Sequence, residues 1–314
     1  MTSESRETLW AALANPDPAV RQLALIERTD DVDATALDAL VAASTDADAT
    51  VRRLAVGMLE ELGDPRALPA VVTALGDGAE GVREAAQSAV RSFRSEESLA
   101  ALLAAVNHEN EDVREWVLVA IREWRDPRTV PALEAALDDR SARVRRAAVV
   151  GLAYLRNADH AGALRRKLTD DDAGVRRLAV AALARGWNVH LAGPIAERLA
   201  DDDWQVRAEA ASALGASNDA TAGTALLAAL DDSHWQVVKN AVAAIASLRT
   251  TSAIPRLVAL FANPASDVRK AAAEALGVLG ATSSREALQS LLKDPDVEVR
   301  KAAARALAAL ERVC

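Results

Sequence analysis

The sequence predicts an all-α solenoid of ten helical hairpins, each 31 residues long. The main observation is a valine that recurs every 31 residues without a slip, ten times from Val20 to Val299. A fixed period of this length is typical of a repeat array, in which each repeat is one supersecondary unit. The composition agrees, because aromatic residues make up only 3% of the chain. Its apolar residues are mostly Ala, Leu and Val, which suit closely packed helices rather than one thick core.

The residues that follow each valine form the second helix of the hairpin, called helix B. An arginine comes directly after the valine in nine of the ten repeats, and the exception is Val238. Apolar or small residues stand four, seven, eight and eleven positions after the valine, which places one apolar stripe along a helix. A similar stripe before the valine, such as Leu68, Val71 and Leu75, predicts a shorter helix A.

The turns carry residues that start and end helices. Pro65 and Pro127 suit a first helical turn, where the missing N–H removes no hydrogen bond. Gly63 and Gly280 suit the left-handed position that ends a helix. The acidic stretch at 201–203 supplies N-caps for helix B. One hairpin cannot bury its own apolar face, so the repeats are expected to stack into a single domain over residues 1–314.

Two segments indicate the type of repeat. Residues 294–307, DPDVEVRKAAARAL, and residues 268–277, VRKAAAEALG, resemble the HEAT repeat, and more narrowly the short HEAT-like repeat of the phycobilisome-lyase (PBS lyase) type. The resemblance implies a right-handed superhelix of antiparallel helix pairs whose B helices line a concave surface. It also implies a structural ladder between repeats, made by an aspartate and the arginine six residues later: Asp46 with Arg52, Asp77 with Arg83, Asp139 with Arg145, Asp170 with Arg176, Asp201 with Arg207, and Asp294 with Arg300.

Positions of helix B that point away from the core form the expected binding surface. The column two residues after the valine becomes basic or neutral from the fifth repeat onward, although the chain has a net charge of −9. A row of cations attracts an acidic segment. An ordinary solvated helix face is the alternative interpretation. From the fifth repeat onward, the cations of this column are Arg146, Arg177, Lys239, Lys270 and Lys301.

Three tryptophans are candidate anchors for a partner. Trp204 and Trp235 occupy equivalent positions, two before the valine, in adjacent repeats, and tryptophan is enriched in binding hot spots. The alternative is that each covers the turn of its own repeat. Trp116 stands at the border of the apolar stripe. The predicted function is therefore a scaffold or adaptor that binds a partner protein, with an acidic segment, on the concave face.

No catalytic or metal-binding set stands out in the sequence. The four histidines are not spaced as shared metal ligands on one helix. The chain has a single His-Glu dipeptide, at His108, whereas the HEAT-like deoxyhypusine hydroxylases carry several. We therefore expect no enzymatic activity and no cofactor. The PBS lyase resemblance leaves one alternative open, an accessory or chaperone protein that handles a chromophore- or cofactor-bearing partner.

Charge and cysteine content set further expectations. The net charge of −9 disfavours nucleic-acid binding, which needs a basic footprint. No apolar run is long enough to span a membrane. The only cysteine is Cys314, so a reducing, cytoplasmic location is favoured and the thiol has no assigned role. The last repeat keeps the apolar pattern of an internal one, and we expect its end face to pack on another copy or on a partner.

Overall fold

Helices account for the regular secondary structure of the residues that the structure describes. The structure is a computed structural model and describes residues 11–27, 34–155, 158–186, 191–217, 219 and 222–311. The chain divides into two compact units, Met1–Leu155 and Arg156–Cys314, here called unit 1 and unit 2. The predicted all-α solenoid fold is confirmed. The continuity of all ten repeats as one domain stays a prediction, and each unit is described by itself.

Helices of the A and B type alternate along both units. Those of unit 1 are α1 (Pro18–Ile26), α2 (Leu37–Ala43), α3 (Ala49–Leu62), α4 (Leu68–Ala74), α5 (Glu80–Ala89), α6 (Glu96–Ala105), α7 (Glu111–Arg122), α8 (Val130–Ala136) and α9 (Ala142–Leu155). Those of unit 2 are α10 (Ala161–Arg166), α11 (Ala173–Arg185), α12 (Ala192–Ala196), α13 (Trp204–Gly215), α14 (Ala222–Leu226), α15 (Trp235–Ser247), α16 (Ile254–Ala259), α17 (Ser266–Val278), α18 (Arg285–Ser290) and α19 (Val297–Glu311). The even-numbered helices are the A helices and the odd-numbered helices are the B helices.

The predicted caps are confirmed where helices start and end. Gly63 ends α3 in the left-handed region with φ of 61°, and Gly280 lies just after α17 with φ of 64°. Pro65 begins a 3₁₀ turn that leads into α4. The carboxylate of Asp203 accepts hydrogen bonds from the backbone N–H groups at the start of α13. Turn chemistry therefore sets the length of each helix locally.

The valine column forms the centre of each hairpin. Its members from Val51 to Val299 are 0–1% exposed, whereas Val20, in the first repeat, is 39% exposed. Four residues after the valine stands an alanine in nine of the ten repeats, and it is buried in each of them. Because alanine carries only a methyl group, helices approach closely at this column and pack without large side chains.

Consecutive B helices also pack directly on each other. In unit 2, α13 lies against α15 and α17 lies against α19. A Cβ atom added to Gly215 would stand 2.7 Å from the Cα and Cβ of Ala244, and one added to Gly277 would stand 2.9 Å from the Cα of Ala306. Glycine is therefore required at these two positions by the close approach of neighbouring helices.

An arginine–aspartate bridge joins successive repeats. Arg52 donates from Nε and Nη2 to the two carboxylate oxygens of Asp77 in the next repeat, at 2.7 and 2.8 Å. Its Nη1 donates to the backbone carbonyls of Asp46 and Ala47 in its own repeat. The residue six positions before the arginine thus contributes its backbone oxygen, and the carboxylate comes from the following repeat. The same bridge joins Arg21 to Asp46, Arg114 to Asp139, Arg176 to Asp201, Arg207 to Asp232 and Arg269 to Asp294.

The bridge is interrupted inside each unit. In unit 1, Arg83 keeps its bond to the carbonyl of Asp77, but the next repeat carries His108 at the aspartate position. At this junction α5 and α7 pack less closely than the other consecutive B helices of unit 1. In unit 2, Val238 replaces the arginine and Asn263 replaces the next aspartate, yet α15 and α17 stay closely packed. Loss of the bridge thus coincides with looser helix packing only in unit 1.

Gly215→Ala is expected to destabilise unit 2 by about 1–3 kcal/mol, because the new methyl group collides with the backbone of Ala244 and forces the helices apart. The matched control is Gly57→Ala in α3, where a Cβ atom would meet nothing within 4 Å. Replacing that helical glycine should stabilise by about 1 kcal/mol. Urea denaturation followed by circular dichroism measures both changes. An unchanged free energy of unfolding in Gly215→Ala would contradict the close contact.

Asp77→Asn is expected to lower the free energy of unfolding by about 1–3 kcal/mol at pH 7, since it removes a charged hydrogen-bond acceptor that is mostly buried. The hydrogen bond from Arg52 holds the pKa of Asp77 below its usual value. The carboxylate therefore stabilises the fold fully above the unfolded-state pKa of about 3.9, and this stabilisation is lost as pH falls through the lower folded-state pKa.

The difference between wild type and Asp77→Asn should accordingly stay constant from neutral pH to about pH 5 and shrink below about pH 4. Urea denaturation at several pH values measures it. Asp38→Asn, at an exposed position in the first turn of α2, is the control and should change the free energy of unfolding by less than about 0.5 kcal/mol. A difference independent of pH would refute the role of the carboxylate.

Candidate protein-binding surface

The solvent-facing side of the B helices of unit 2, here called the B-face of unit 2, carries most of the predicted site residues. Helices α11, α13, α15, α17 and α19 pack side by side in this order. Their column of predicted cations points outward: Arg177, Lys239 and Lys301 are exposed and Lys270 is half-buried. Ala208 is buried and interrupts the row. The structure thus places four of the predicted cations on one face of unit 2.

Trp235 is the most accessible aromatic group on this face. Trp235 is the first residue of α15 and is 40% exposed. The Nζ of Lys239, one helical turn later, stands 5.6 Å from the centroid of the Trp235 ring, within the range of a cation–π interaction. The same Nζ lies 3.7 Å from a carboxylate oxygen of Asp267 on α17. Trp235 and Lys239 therefore form one feature, an aromatic surface with a cation fixed beside it.

Trp204 is held differently although it occupies the equivalent position in the preceding repeat. Its ring stacks on His234, with ring centroids 5.5 Å apart and an interplanar angle of 6°. His234 in turn lies 3.3 Å from Nη2 of Arg207, an arginine of the interrepeat bridge. In the repeat after Trp235, the position of His234 is taken by Ala265, which offers no ring. The two tryptophans are thus not a matched pair, because only Trp204 has an aromatic partner.

Carboxylates flank the basic column. Lys301 donates to Glu298 at 2.9 Å, and this hydrogen bond is the main reason that the pKa of Glu298 lies below its ordinary value, with a further contribution from Lys270. Asp267, on the neighbouring helix, forms a longer ion pair of 3.7 Å with Lys239. The B-face of unit 2 therefore alternates in sign. The sequence pattern that could have identified these acids is the column directly before the valine, which is acidic in the last two repeats.

Two predicted site residues belong to unit 1. Trp116 is half-buried on α7 and Arg146 is exposed on α9. Glu115, next to Trp116, forms an ion pair with Arg143 of the following repeat, and burial raises the pKa of this carboxyl group. The predicted site is therefore divided between the two units, and an aromatic and a basic residue of it meet directly at Trp235 and Lys239.

The chemistry available to the described residues is that of a contact surface. Within the described ranges, no three His, Cys, Asp or Glu side chains lie close enough together to hold a metal ion. No helix there combines the length and apolar character needed to cross a membrane. Trp10, Trp187, His190 and Cys314 lie outside the described residues. What the described surface presents to another molecule is an indole ring, ammonium and guanidinium groups, and carboxylates.

Stacked antiparallel helix pairs joined by an arginine–aspartate bridge define an α-solenoid repeat protein. The family model for HEAT repeats matches residues 6–91, 82–150, 193–277 and 260–312, which together make up most of the chain. The chain therefore belongs to the HEAT-repeat family. Its assignment to the narrower PBS lyase type stays a prediction. No curated protein sequence matches the chain.

Several solved structures share the fold. An engineered protein is 21% identical, with a TM-score of 0.53 and 99% of both chains covered. Kap95p, from work on its complex with RanGDP, is 14% identical with a TM-score of 0.65, over 98% of this chain and 48% of its own. Importin beta is 15% identical with a TM-score of 0.61, over 99% of this chain and 52% of its own. The chain spans about half the length of these two chains, and the likeness shows the fold alone.

Trp204→Ala is expected to lower the free energy of unfolding by about 1–2 kcal/mol, because it removes an aromatic stack and its buried area. Trp235→Ala should cost less, about 1 kcal/mol or less, because the side chain is 40% exposed and does not stack on a ring as Trp204 does. Urea denaturation followed by circular dichroism measures both, with His234→Ala as a third variant that should reproduce part of the Trp204 loss. Equal losses in the two tryptophan variants would contradict the different packing of the two rings.

Proposed function

We propose that the chain is a non-enzymatic adaptor that binds a segment of a partner protein on the B-face of unit 2. The observation that carries this proposal is the exposed indole of Trp235 with the Lys239 ammonium group beside it. An exposed tryptophan loses water-contacting apolar area when it is covered, and tryptophan is the residue type most typical of binding hot spots. Membership of the HEAT-repeat family supports a role in protein binding.

The chemistry of the face suits a segment with an apolar and an acidic residue. The apolar side chain would cover the open part of the Trp235 ring. The acidic side chain would bind Lys239, whose contact with Asp267 at 3.7 Å is an ion pair longer than a hydrogen bond and is open to exchange. Lys270 on the next helix, together with Arg177 and Lys301, adds positive charge along the face. The neighbouring carboxylates would repel an acidic residue that lies away from the cations, so they restrict the register in which a segment binds.

The structural relatives agree with this class of function without identifying a partner. Kap95p is described with RanGDP and Kap121p with Pho4p, so both of these solenoids bind proteins. Both are at most 16% identical to this chain, which carries over the fold and not the partner. A cytoplasmic location and self-association through the last repeat, where Leu292 and Val297 are exposed, are further predictions that belong to the same proposal.

Trp235→Ala and Lys239→Glu should each abolish capture of a partner from native lysate, because each removes half of the aromatic and basic feature. The control is Lys293→Glu, an exposed lysine of unit 2 in the turn after α18, which should retain capture. Circular dichroism checks that all variants stay helical. A partner captured equally by wild type and both B-face variants would refute this surface as the binding site.

The same purified protein distinguishes the adaptor from an accessory protein of PBS lyase type. An adaptor of the proposed kind should show no absorption band in the visible range, because none of its own side chains absorbs there. A tetrapyrrole or another cofactor that co-purifies with the wild type, or with its captured partner, would favour the accessory role. The absorption spectrum of the eluate is the measurement.

A further inference from the structure

A separate cavity opens on the B helices of the first three repeats, within unit 1. Its volume is about 420 Å³, which is within the range of pockets that take a small ligand or a large side chain. Leu54, Met58 and Ala85 line it, and Leu54 and Ala85 are partly exposed, so its floor is apolar. Gly57, in the middle of α3, also lines it.

Gly57 has no structural reason to be a glycine. A Cβ atom added to it would meet nothing within 4 Å, whereas one added to Gly215 or Gly277 would collide with a neighbouring helix. The φ angle of Gly57 is not positive, and a glycine inside a helix costs about 1 kcal/mol relative to alanine. The effect of this glycine on the structure is to leave the cavity above it open.

Charged groups surround the opening without neutralising one another. Arg53, Glu61 and Glu84 line the cavity and are all exposed. None of the three forms an ion pair with any other residue in the described part of the chain. Elsewhere on the same helices charged groups are occupied, as Glu60 is by Ser88 and Ser92. The rim therefore has two free carboxylates and one free guanidinium group around an apolar floor.

We propose that this cavity, here called the Gly57 pocket, is a second protein-binding site, which takes one apolar side chain of an extended peptide segment flanked by basic residues. The apolar side chain covers Gly57 and contacts Leu54 and Ala85. Basic neighbours on the peptide bind Glu61 and Glu84, and Arg53 binds a backbone carbonyl of the segment. Because two carboxylates outnumber one guanidinium group, the pocket should prefer a basic segment, whereas the B-face of unit 2 is proposed to bind an acidic one. The two proposals can therefore fail independently.

The test uses the full chain and fluorescein-labelled pentapeptides in fluorescence polarisation. The central residue is leucine, and its two neighbours are both lysine, both glutamate or both serine. The lysine-flanked peptide should bind most tightly, and its affinity should fall with added salt, since exposed charge pairs are screened. Equal affinity for the lysine- and glutamate-flanked peptides would overturn the proposal, as would no binding of any peptide at about 1 mM, the weakest affinity that such a contact should have.

Variants locate the binding. Gly57→Leu fills the pocket and should weaken the lysine-flanked peptide at least about tenfold, a loss of about 1.4 kcal/mol, while thermal unfolding shows a fold no less stable than wild type. Glu61→Gln combined with Glu84→Gln should remove the preference for lysine and keep residual binding of the serine-flanked peptide. The matched control is Gly162→Leu, at another helical glycine with open space around it, which should bind like wild type. Undiminished binding by Gly57→Leu would refute the pocket.

Discussion

The bridge from an arginine to the aspartate of the next repeat fixes the spacing of the repeats that it joins. One planar guanidinium group satisfies two carbonyls of its own turn and both carboxylate oxygens of the next, as Arg52 does with Asp77. A fork of fixed geometry can meet all four acceptors only when successive turns stand at one spacing. Where it forms, the bridge therefore sets the register of successive repeats, while the buried valine column and the alanine column supply the apolar contact that holds the stack together.

The periodic part of the structure could be predicted because the same residue pattern recurs in every repeat. The valine column, the Gly63 cap and the Pro65 turn each depend on neighbours a few residues away, and all were visible in the chain. The direction of the bridge could not be predicted. The sequence shows an aspartate and an arginine six residues apart, but it does not show that the carboxylate accepts from the arginine of the preceding repeat. Long-range pairing of this kind depends on the rise between repeats, which no local pattern encodes.

The candidate surfaces lie where the chain departs from its own repeat. Trp204 and Trp235 are identical by position, and they differ because the next repeat supplies His234 to one and Ala265 to the other. Asp267 and Glu298 belong to a different column, and they place negative charge beside the basic one. The sequence does not distinguish Gly57, since a helical glycine required by packing and one that leaves space open look alike there. Each of these distinctions needs the neighbouring helix.

The junction at Arg83 and His108 gives unit 1 an internal boundary. In a repeat array the total stability is close to a sum of each repeat's own stability and of couplings between nearest neighbours. A junction that lacks the carboxylate bridge, and whose B helices pack less closely, contributes a weaker coupling than the junctions on either side of it. We therefore expect unit 1 to unfold in two cooperative blocks, with α1 to α5 in the first and α6 to α9 in the second. The Gly57 pocket lies entirely in the first block, so it should persist through openings of the second.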